Sequence, residues 1–119
     1  MGPGNTEASG KLAIVWSSGD PGVAMNMVFM YAENSMLRGW WSQVDLVVWG
    51  PSAELLASDE KLQAELQELD KAGVGLYACK ACADRLGVSD KLVSLGVNVM
   101  YMGIPLTEYL KGGWSTITF

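Results

Sequence analysis

Five short apolar runs alternate with segments of helical character along this chain, and this alternation restricts the fold more than any other feature. The first run, residues 11–18, ends in a turn rich in serine, glycine, aspartate and proline, which is typical of a strand end. The other predicted strands are 44–49, 74–78, 97–102 and 115–119. Parallel strands need crossover connections, and right-handed crossovers place helices on the faces of a sheet. The sequence therefore predicts an α/β fold with a mainly parallel five-stranded sheet.

The segments between the runs have helical spacing. Residues 22–38 are apolar around much of the helix circumference, so we expect one side to pack on the sheet and the other to meet a partner chain. Residues 53–71 are predicted to form two helices, the second capped by Ser58. Further helices are predicted over 79–86, 89–95 and 106–111. Residues 1–10 are predicted to form a flexible tail, and residues 11–119 a single domain.

Composition excludes several classes of function. The chain has 8 basic and 13 acidic side chains, with none of the basic stripes that nucleic-acid binding requires. It has no histidine, which excludes Ser-His-Asp and Cys-His catalysis and histidine-ligated metal sites. Half of the residues are hydrophobic and only 18% are charged, which predicts that other copies of the chain cover part of the apolar surface. We expect no cofactor, and no metal.

The sequence also predicts where the protein works. Residues 1–10 lack the basic and then apolar pattern of a secretory signal. The longest apolar segment, residues 23–37, is interrupted by polar side chains, so no membrane-spanning helix is expected. These features predict a cytoplasmic protein that does not bind membranes. Its two cysteines are then expected to be thiols rather than a disulfide.

The two cysteines carry the main functional prediction. Cys79 falls where the third predicted strand meets a helix, and Cys82 lies about one helical turn later. Function collects at the carboxyl ends of strands in open α/β sheets, and a helix N-terminus stabilises a thiolate. Lys80 and Arg85 add positive charge, although Asp84 opposes them. Cys79 is therefore predicted to be a reactive thiolate, with Cys82 as a helper or resolving thiol.

The cysteines admit three other interpretations, and the sequence argues against the last two. Cysteine is often only a small buried hydrophobic residue. A structural zinc site normally needs four cysteine or histidine ligands, whereas this chain has two cysteines and no histidine. The position after the third strand and the intervening Lys-Ala pair differ from a thioredoxin-like motif, which C-x-x-C spacing alone suggests.

Three further features are candidates for contact with a substrate. Ser17, Ser18 and Gly19 begin a strand-to-helix turn that could hold an anion, although these residue types also dominate ordinary turns. Trp49 ends the second predicted strand and is interpreted as lining a pocket. Lys80 is the third candidate because it adjoins Cys79.

The segment VGLYACKACADRLG, residues 74–87, resembles the DsrE/DsrF-like family, which includes small sulfur-relay subunits of the TusD type. The resemblance rests on a cysteine that ends the third strand and on Gly87 eight positions later, and in layout it covers residues 11–119. It implies a three-layer α/β/α domain, usually assembled as trimers or hexamers. It also implies that Cys79 carries a persulfide exchanged with donor or acceptor proteins, and that the turn beginning at Ser17 lies nearby. Cys82 matches a second cysteine that only some members have.

Three hypotheses follow. The first is a homo-oligomeric sulfur carrier with Cys79 as the sulfur-accepting thiolate and Cys82 as its helper. The second is a non-catalytic oligomer that binds a small anionic ligand or metabolite. The third is a redox switch in which Cys79 and Cys82 form a reversible disulfide.

Overall fold

The computed structural model describes residues 10–119. Apart from Gly10, the predicted tail lies outside the described residues. Five strands form one sheet in the order β4-β3-β2-β1-β5, and every neighbouring pair is parallel. This confirms the predicted α/β class, in a sheet that is parallel throughout. The strands are β1 (Lys11–Trp16), β2 (Gln43–Val48), β3 (Gly75–Cys79), β4 (Asn98–Met100) and β5 (Ser115–Thr118).

The helices follow the predicted order with small shifts in their ends. The first helical segment is continuous and consists of α1 (Pro21–Val23), a π-helical stretch (Ala24–Phe29) and α2 (Met30–Leu37). The later helices are α3 (Pro51–Ser58), α4 (Glu60–Ala72), α5 (Lys80–Leu86), α6 (Ser89–Ser94) and α7 (Gly103–Lys111).

The cap predicted for the fourth helix is wrong by one residue. Asp59 caps α4, and its carboxylate accepts a hydrogen bond from the Leu62 backbone N–H at 3.0 Å. The Ser58 hydroxyl instead donates to the backbone carbonyls of α3. The predicted stop of α5 is confirmed, because Gly87 has a positive φ of 71°, a backbone conformation that glycine adopts without the steric cost of a side chain.

The two faces of the sheet are covered very unequally. Strands β1 to β4 lie side by side in chain order, so right-handed crossovers place all the helices between them on one face. The chain then returns from β4 to β5 across the opposite face, and this return carries only α7. We call the first the covered face and the second the open face. Helices lie on both sides of the sheet, as predicted, but their numbers differ.

The covered face holds the main hydrophobic core. Alternate side chains of the strands, such as Leu12, Ile14 and Leu46, pack there against apolar side chains of the helices. Trp16 and Phe29 meet edge to face, with their ring centroids 5.1 Å apart. The buried residues of α1 to α2 lie on this side, which confirms that one side of that helical segment packs on the sheet.

The open face holds a second and smaller cluster. The intervening strand residues Ala13, Val47 and Cys79 are buried there together with Met102 and Tyr109 from the region of α7. Tyr77, Trp49 and Trp114 pack against this cluster and are only partly buried, as are Cys82 and Leu106. The predicted cysteines therefore lie on, or beside, the less covered side of the sheet.

Candidate functional site

Cys79 is the last residue of β3 and the N-cap of α5. This is the strand-to-helix junction that the sequence predicts. The residue is 6% exposed and belongs to the small cluster of the open face. Both Cys79 and Cys82 are free thiols.

The acidity of Cys79 is set by two opposing effects. Burial raises the pKa of the Cys79 thiol, and this effect is the largest, because an apolar environment disfavours the charged thiolate. The backbone N–H of Cys82 lowers the pKa, the side chain of Cys82 raises it, and the backbone N–H of Ala81 gives a smaller lowering. The net pKa is raised, whereas the sequence predicts a lowered value. The predicted contribution of the helix N-terminus is present, but burial outweighs it.

Cys82 occupies a different environment from its neighbour. It is the third residue of α5, it is half-buried, and it packs against the cluster that contains Cys79. It also lines a cavity of about 240 Å³ together with Gly50, Pro51, Glu54, Arg85 and Leu86. Cys82 is thus in contact with both the open-face cluster and a surface cavity.

Two of the predicted substrate contacts have defined positions near Cys79. Trp49 packs against the same open-face cluster. Lys80 follows Cys79 directly, but its ammonium group forms an ion pair with Asp84 at 2.7 Å. It also lies 5.8 Å from the ring centroid of Tyr101. The charge of Lys80 is therefore already paired on the exposed side of α5.

The turn that begins at Ser17 is held by other parts of the chain. The hydroxyl and backbone N–H of Ser17 donate to the carbonyl of Phe119 at 2.9 and 2.7 Å. The Ser18 hydroxyl accepts from the backbone N–H of Asp20 at 3.1 Å. A Cβ at Gly19 would lie 3.4 Å from the Cβ of Pro51, which lines the cavity beside Cys82. The turn therefore adjoins the wall of that cavity, and its contact with a substrate stays a prediction.

The open face also holds a buried carboxylate that is not among the residues predicted from the sequence. Asp45 lies within β2 and is 4% exposed. Its Oδ2 accepts a hydrogen bond from the Tyr109 hydroxyl at 2.8 Å, and this bond joins α7 to the sheet. Burial and the hydrogen bond with Asp45 raise the pKa of Tyr109. The signal in the sequence was a single acidic residue within an otherwise apolar strand.

Arg85 and Glu54 are also brought together only by the fold. Glu54 lies in the first turn of α3 and Arg85 in the last turn of α5, and both line the cavity beside Cys82. The charge of Arg85 is evident from the sequence, but a pocket beside it is not. The packing of α3 against α5 has no local signal in the sequence.

The structure gives two further results on the chemistry of residues 10–119. They contain no group of three or more acidic or cysteine side chains placed to hold a metal ion. None of their helices has the length and apolar content that crossing a bilayer would demand.

An all-parallel α/β protein with paired free cysteines at the carboxyl edge of its sheet is the class that the fold and the site define. The chain belongs to the DsrE/DsrF-like family, whose sequence profile matches residues 10–119. A comparison with curated proteins finds no match.

Solved structures support this assignment. A conserved protein of unknown function from Bacteroides thetaiotaomicron is 41% identical, with a TM-score of 0.89 over 92% of this chain and 94% of the other. The MTH1491 protein of unknown function from Methanobacterium thermoautotrophicum is 19% identical, with a TM-score of 0.76 over 92% and 99% of the two chains. The YchN protein from E. coli is 21% identical, with a TM-score of 0.65 over the same shares. The last two similarities show the fold alone.

Proposed function

We propose that this protein carries sulfane sulfur as a persulfide on the Cys79–Cys82 pair. The observation that carries the proposal is the arrangement of the two free thiols. They lie about one helical turn apart at the carboxyl end of a parallel strand, one buried and one partly accessible. Membership of the DsrE/DsrF-like family supports a sulfur-relay role for this position.

The transfer of sulfur from a donor persulfide to the protein involves no net oxidation or reduction. A protein thiolate attacks the outer sulfur of a donor persulfide, R–S–SH, and a new sulfur–sulfur bond forms on the protein. The bond inside the donor breaks, and the released thiolate R–S⁻ takes up the proton that the protein thiol lost. The products are a protein persulfide and a free thiol, so neither an oxidant nor a reductant is needed. A buried site then protects the persulfide from side reactions with solvent.

Intact-mass measurement tests the proposal. The reduced protein is incubated with a persulfide donor, freed of small molecules and weighed. We expect a gain of one sulfur atom that dithiothreitol removes. The double variant Cys79→Ser/Cys82→Ser should gain none. A wild-type protein that gains no sulfur from any persulfide donor would contradict the proposal.

A thiol redox switch is the second candidate function. It is favoured by the interaction of the two cysteines, since the Cys82 side chain is near enough to raise the pKa of Cys79. A switch would lose two hydrogens on mild oxidation and gain no sulfur from persulfide donors. If neither mass change occurred, the result would favour the second hypothesis, a binding module.

We also propose that the chain forms a homo-oligomer through an apolar groove at the β5 edge of the sheet. The groove measures about 400 Å³ and includes Met27, Met30, Tyr31, Trp40, Ile117 and Phe119. Met30 is 54% exposed and Met27 is 48% exposed. Adjacent β5 is an edge strand, which leaves backbone groups available for pairing. Together these features fit a second copy of the chain.

Light scattering coupled to size exclusion tests this assembly. We expect an oligomer for the wild-type chain, and a smaller species for Met27→Glu/Met30→Glu, since two charges cannot be buried without partners. The matched control Val93→Glu alters an exposed apolar residue on α6 and should leave the size unchanged. A wild-type chain that is monomeric at micromolar concentration would rule out the oligomer.

A further inference from the structure

The cavity beside Cys82 has the chemistry of a small binding site. Its lining contains a thiol, a guanidinium group and a carboxylate, contributed by Cys82, Arg85 and Glu54. Residues 10–119 contain two ion pairs, Lys71–Glu68 and Lys80–Asp84, so neither charge in the cavity is paired within the part of the chain that the structure describes. One cation and one anion are therefore available to a ligand.

The size of the cavity limits what can bind. Its volume of about 240 Å³ lies below the roughly 300–1,000 Å³ of pockets that hold drug-sized ligands. Pro51 and Leu86 add apolar wall beside the two charges. The cavity therefore suits a molecule of amino-acid size that carries both a carboxylate and an ammonium group.

The two cysteines differ in their access to this cavity. Cys82 lines it, whereas Cys79 is 6% exposed and lies in the open-face cluster. Cys82 also packs against that cluster. A sulfur atom that arrives through the cavity thus meets Cys82 before Cys79.

We infer that the cavity binds the persulfide of a small zwitterionic thiol, and that Cys82 is the first sulfur acceptor, which then passes the sulfur to Cys79. This inference rests on the proposed function. Arg85 binds the carboxylate of the donor and Glu54 binds its ammonium group. A charge-assisted hydrogen bond to each group orients the persulfide.

Both transfers are redox-neutral. In the first, Cys82 attacks the outer sulfur of the donor, and the thiolate of the donor leaves with the electron pair and takes up a proton. In the second, Cys79 attacks the outer sulfur of the Cys82 persulfide. A bond forms between the Cys79 sulfur and the transferred sulfur, the bond to the Cys82 sulfur breaks, and the proton of Cys79 ends on Cys82.

The positions of the trypsin sites allow the order of transfer to be measured. Trypsin cleaves after Lys80 and Arg85, so Cys79 and Cys82 fall on separate peptides, 72–80 and 81–85. The protein is mixed with freshly prepared cysteine persulfide, and samples are alkylated at successive times and digested. We expect the added sulfur on peptide 81–85 first and on peptide 72–80 later. In Cys82→Ser, the loading of Cys79 should be at least about tenfold slower, because its sulfur is buried.

Two matched donors and three variants test the recognition of charge. Cysteamine persulfide lacks the carboxylate, and the persulfide of 3-mercaptopropionate lacks the ammonium group. We expect wild-type protein to load each of these about tenfold more slowly than cysteine persulfide, as loss of one charged hydrogen bond implies. Arg85→Gln should no longer distinguish cysteine from cysteamine, and Glu54→Gln should no longer distinguish cysteine from mercaptopropionate. Lys91→Gln, on exposed α6, should behave as the wild type.

The outcomes separate this inference from the proposed function. Sulfur that reaches Cys79 first, wild-type loading of Cys79 in Cys82→Ser, or equal rates with all three donors would overturn the inference while sulfur carriage stands. A wild-type protein that accepts no sulfur from any of the three donors overturns both.

Discussion

The two faces of the sheet hold different kinds of buried side chain. On the covered face, the strand residues meet apolar side chains from α1 to α6 and form the main core. On the open face, the intervening residues of β1 to β3 meet side chains from the region of α7 and Cys82 of α5, and they include a thiol and a carboxylate. The face with more helices therefore holds the main apolar core, whereas the face with fewer helices holds the groups that can ionise.

The same low polarity has opposite effects on the two faces. On the covered face it stabilises the fold through burial of apolar surface. On the open face it surrounds groups that can ionise, and burial raises the pKa of Cys79, Tyr77 and Tyr109. The open face therefore holds these groups in their protonated, uncharged forms.

The largest effect that we predict compares a leucine in each region. Leu66 is fully buried in the main core, and Leu66→Ala should reduce the free energy of unfolding by about 3 kcal/mol because it leaves a cavity. Leu106 is only partly buried beside the open-face cluster, and Leu106→Ala should cost about 1 kcal/mol. Urea unfolding measures both. Equal costs would show that the two faces contribute alike to stability.

A smaller effect tests the hydrogen bond that joins α7 to the open face. Tyr109→Phe leaves the Asp45 carboxylate without its 2.8 Å donor. We expect a loss of about 2 kcal/mol in the free energy of unfolding, as is typical of a hydrogen bond to a buried charged group. Tyr101→Phe is the matched control, because Tyr101 is 67% exposed. If both variants were equally stable, Asp45 and Tyr109 would not anchor the helix.

The smallest effect that we predict concerns Glu65 in α4, in the helix layer of the covered face, where α2 packs against α4. A hydrogen bond with Glu33 is the main cause that raises the pKa of Glu65 from 4.5 to about 7, and burial and the charges of Glu33 and Glu68 add to it. The folded protein therefore binds more protons than the unfolded chain between these pH values. Its stability falls as the pH rises through this window.

Glu65→Gln removes this pH dependence. The side chain is partly exposed, so we expect a gain of about 1 kcal/mol above pH 7, and no gain near pH 4. Urea unfolding at several pH values measures the difference from the wild type. The control is Glu108→Gln, on the exposed side of α7. A gain that is independent of pH would show that the interaction with Glu33 is not its source.

Much of the fold could be predicted because its signals are local. The apolar runs indicate the strands to within a few residues, and Cys79 lies at the junction of β3 and α5 as expected. The unequal coverage could have been worked out only with the strand order, because crossover direction decides the face on which each helix packs. The sequence does not show that order directly.

The environment of the site could not be predicted in the same way. Cys79 is buried together with Met102 and Tyr109. These two residues come later in the chain than Cys79 and cover this part of the open face. The sequence indicates the helix N-terminus that lowers the pKa of Cys79, but it does not indicate the burial that raises it. Glu54 and Arg85 likewise meet at one cavity only because two helices pack together.

Alkylation of single-cysteine variants tests the central claim most directly, which is that the open face shelters Cys79 and leaves Cys82 accessible. The rate of reaction with iodoacetamide is measured between pH 6 and pH 10 in Cys82→Ser and in Cys79→Ser. We predict that Cys79 reacts far more slowly than Cys82, and that its rate rises with a midpoint above the ordinary thiol pKa of about 8.5. A Cys79 that reacts as fast as Cys82, or with a midpoint below that of an ordinary thiol, would contradict the account.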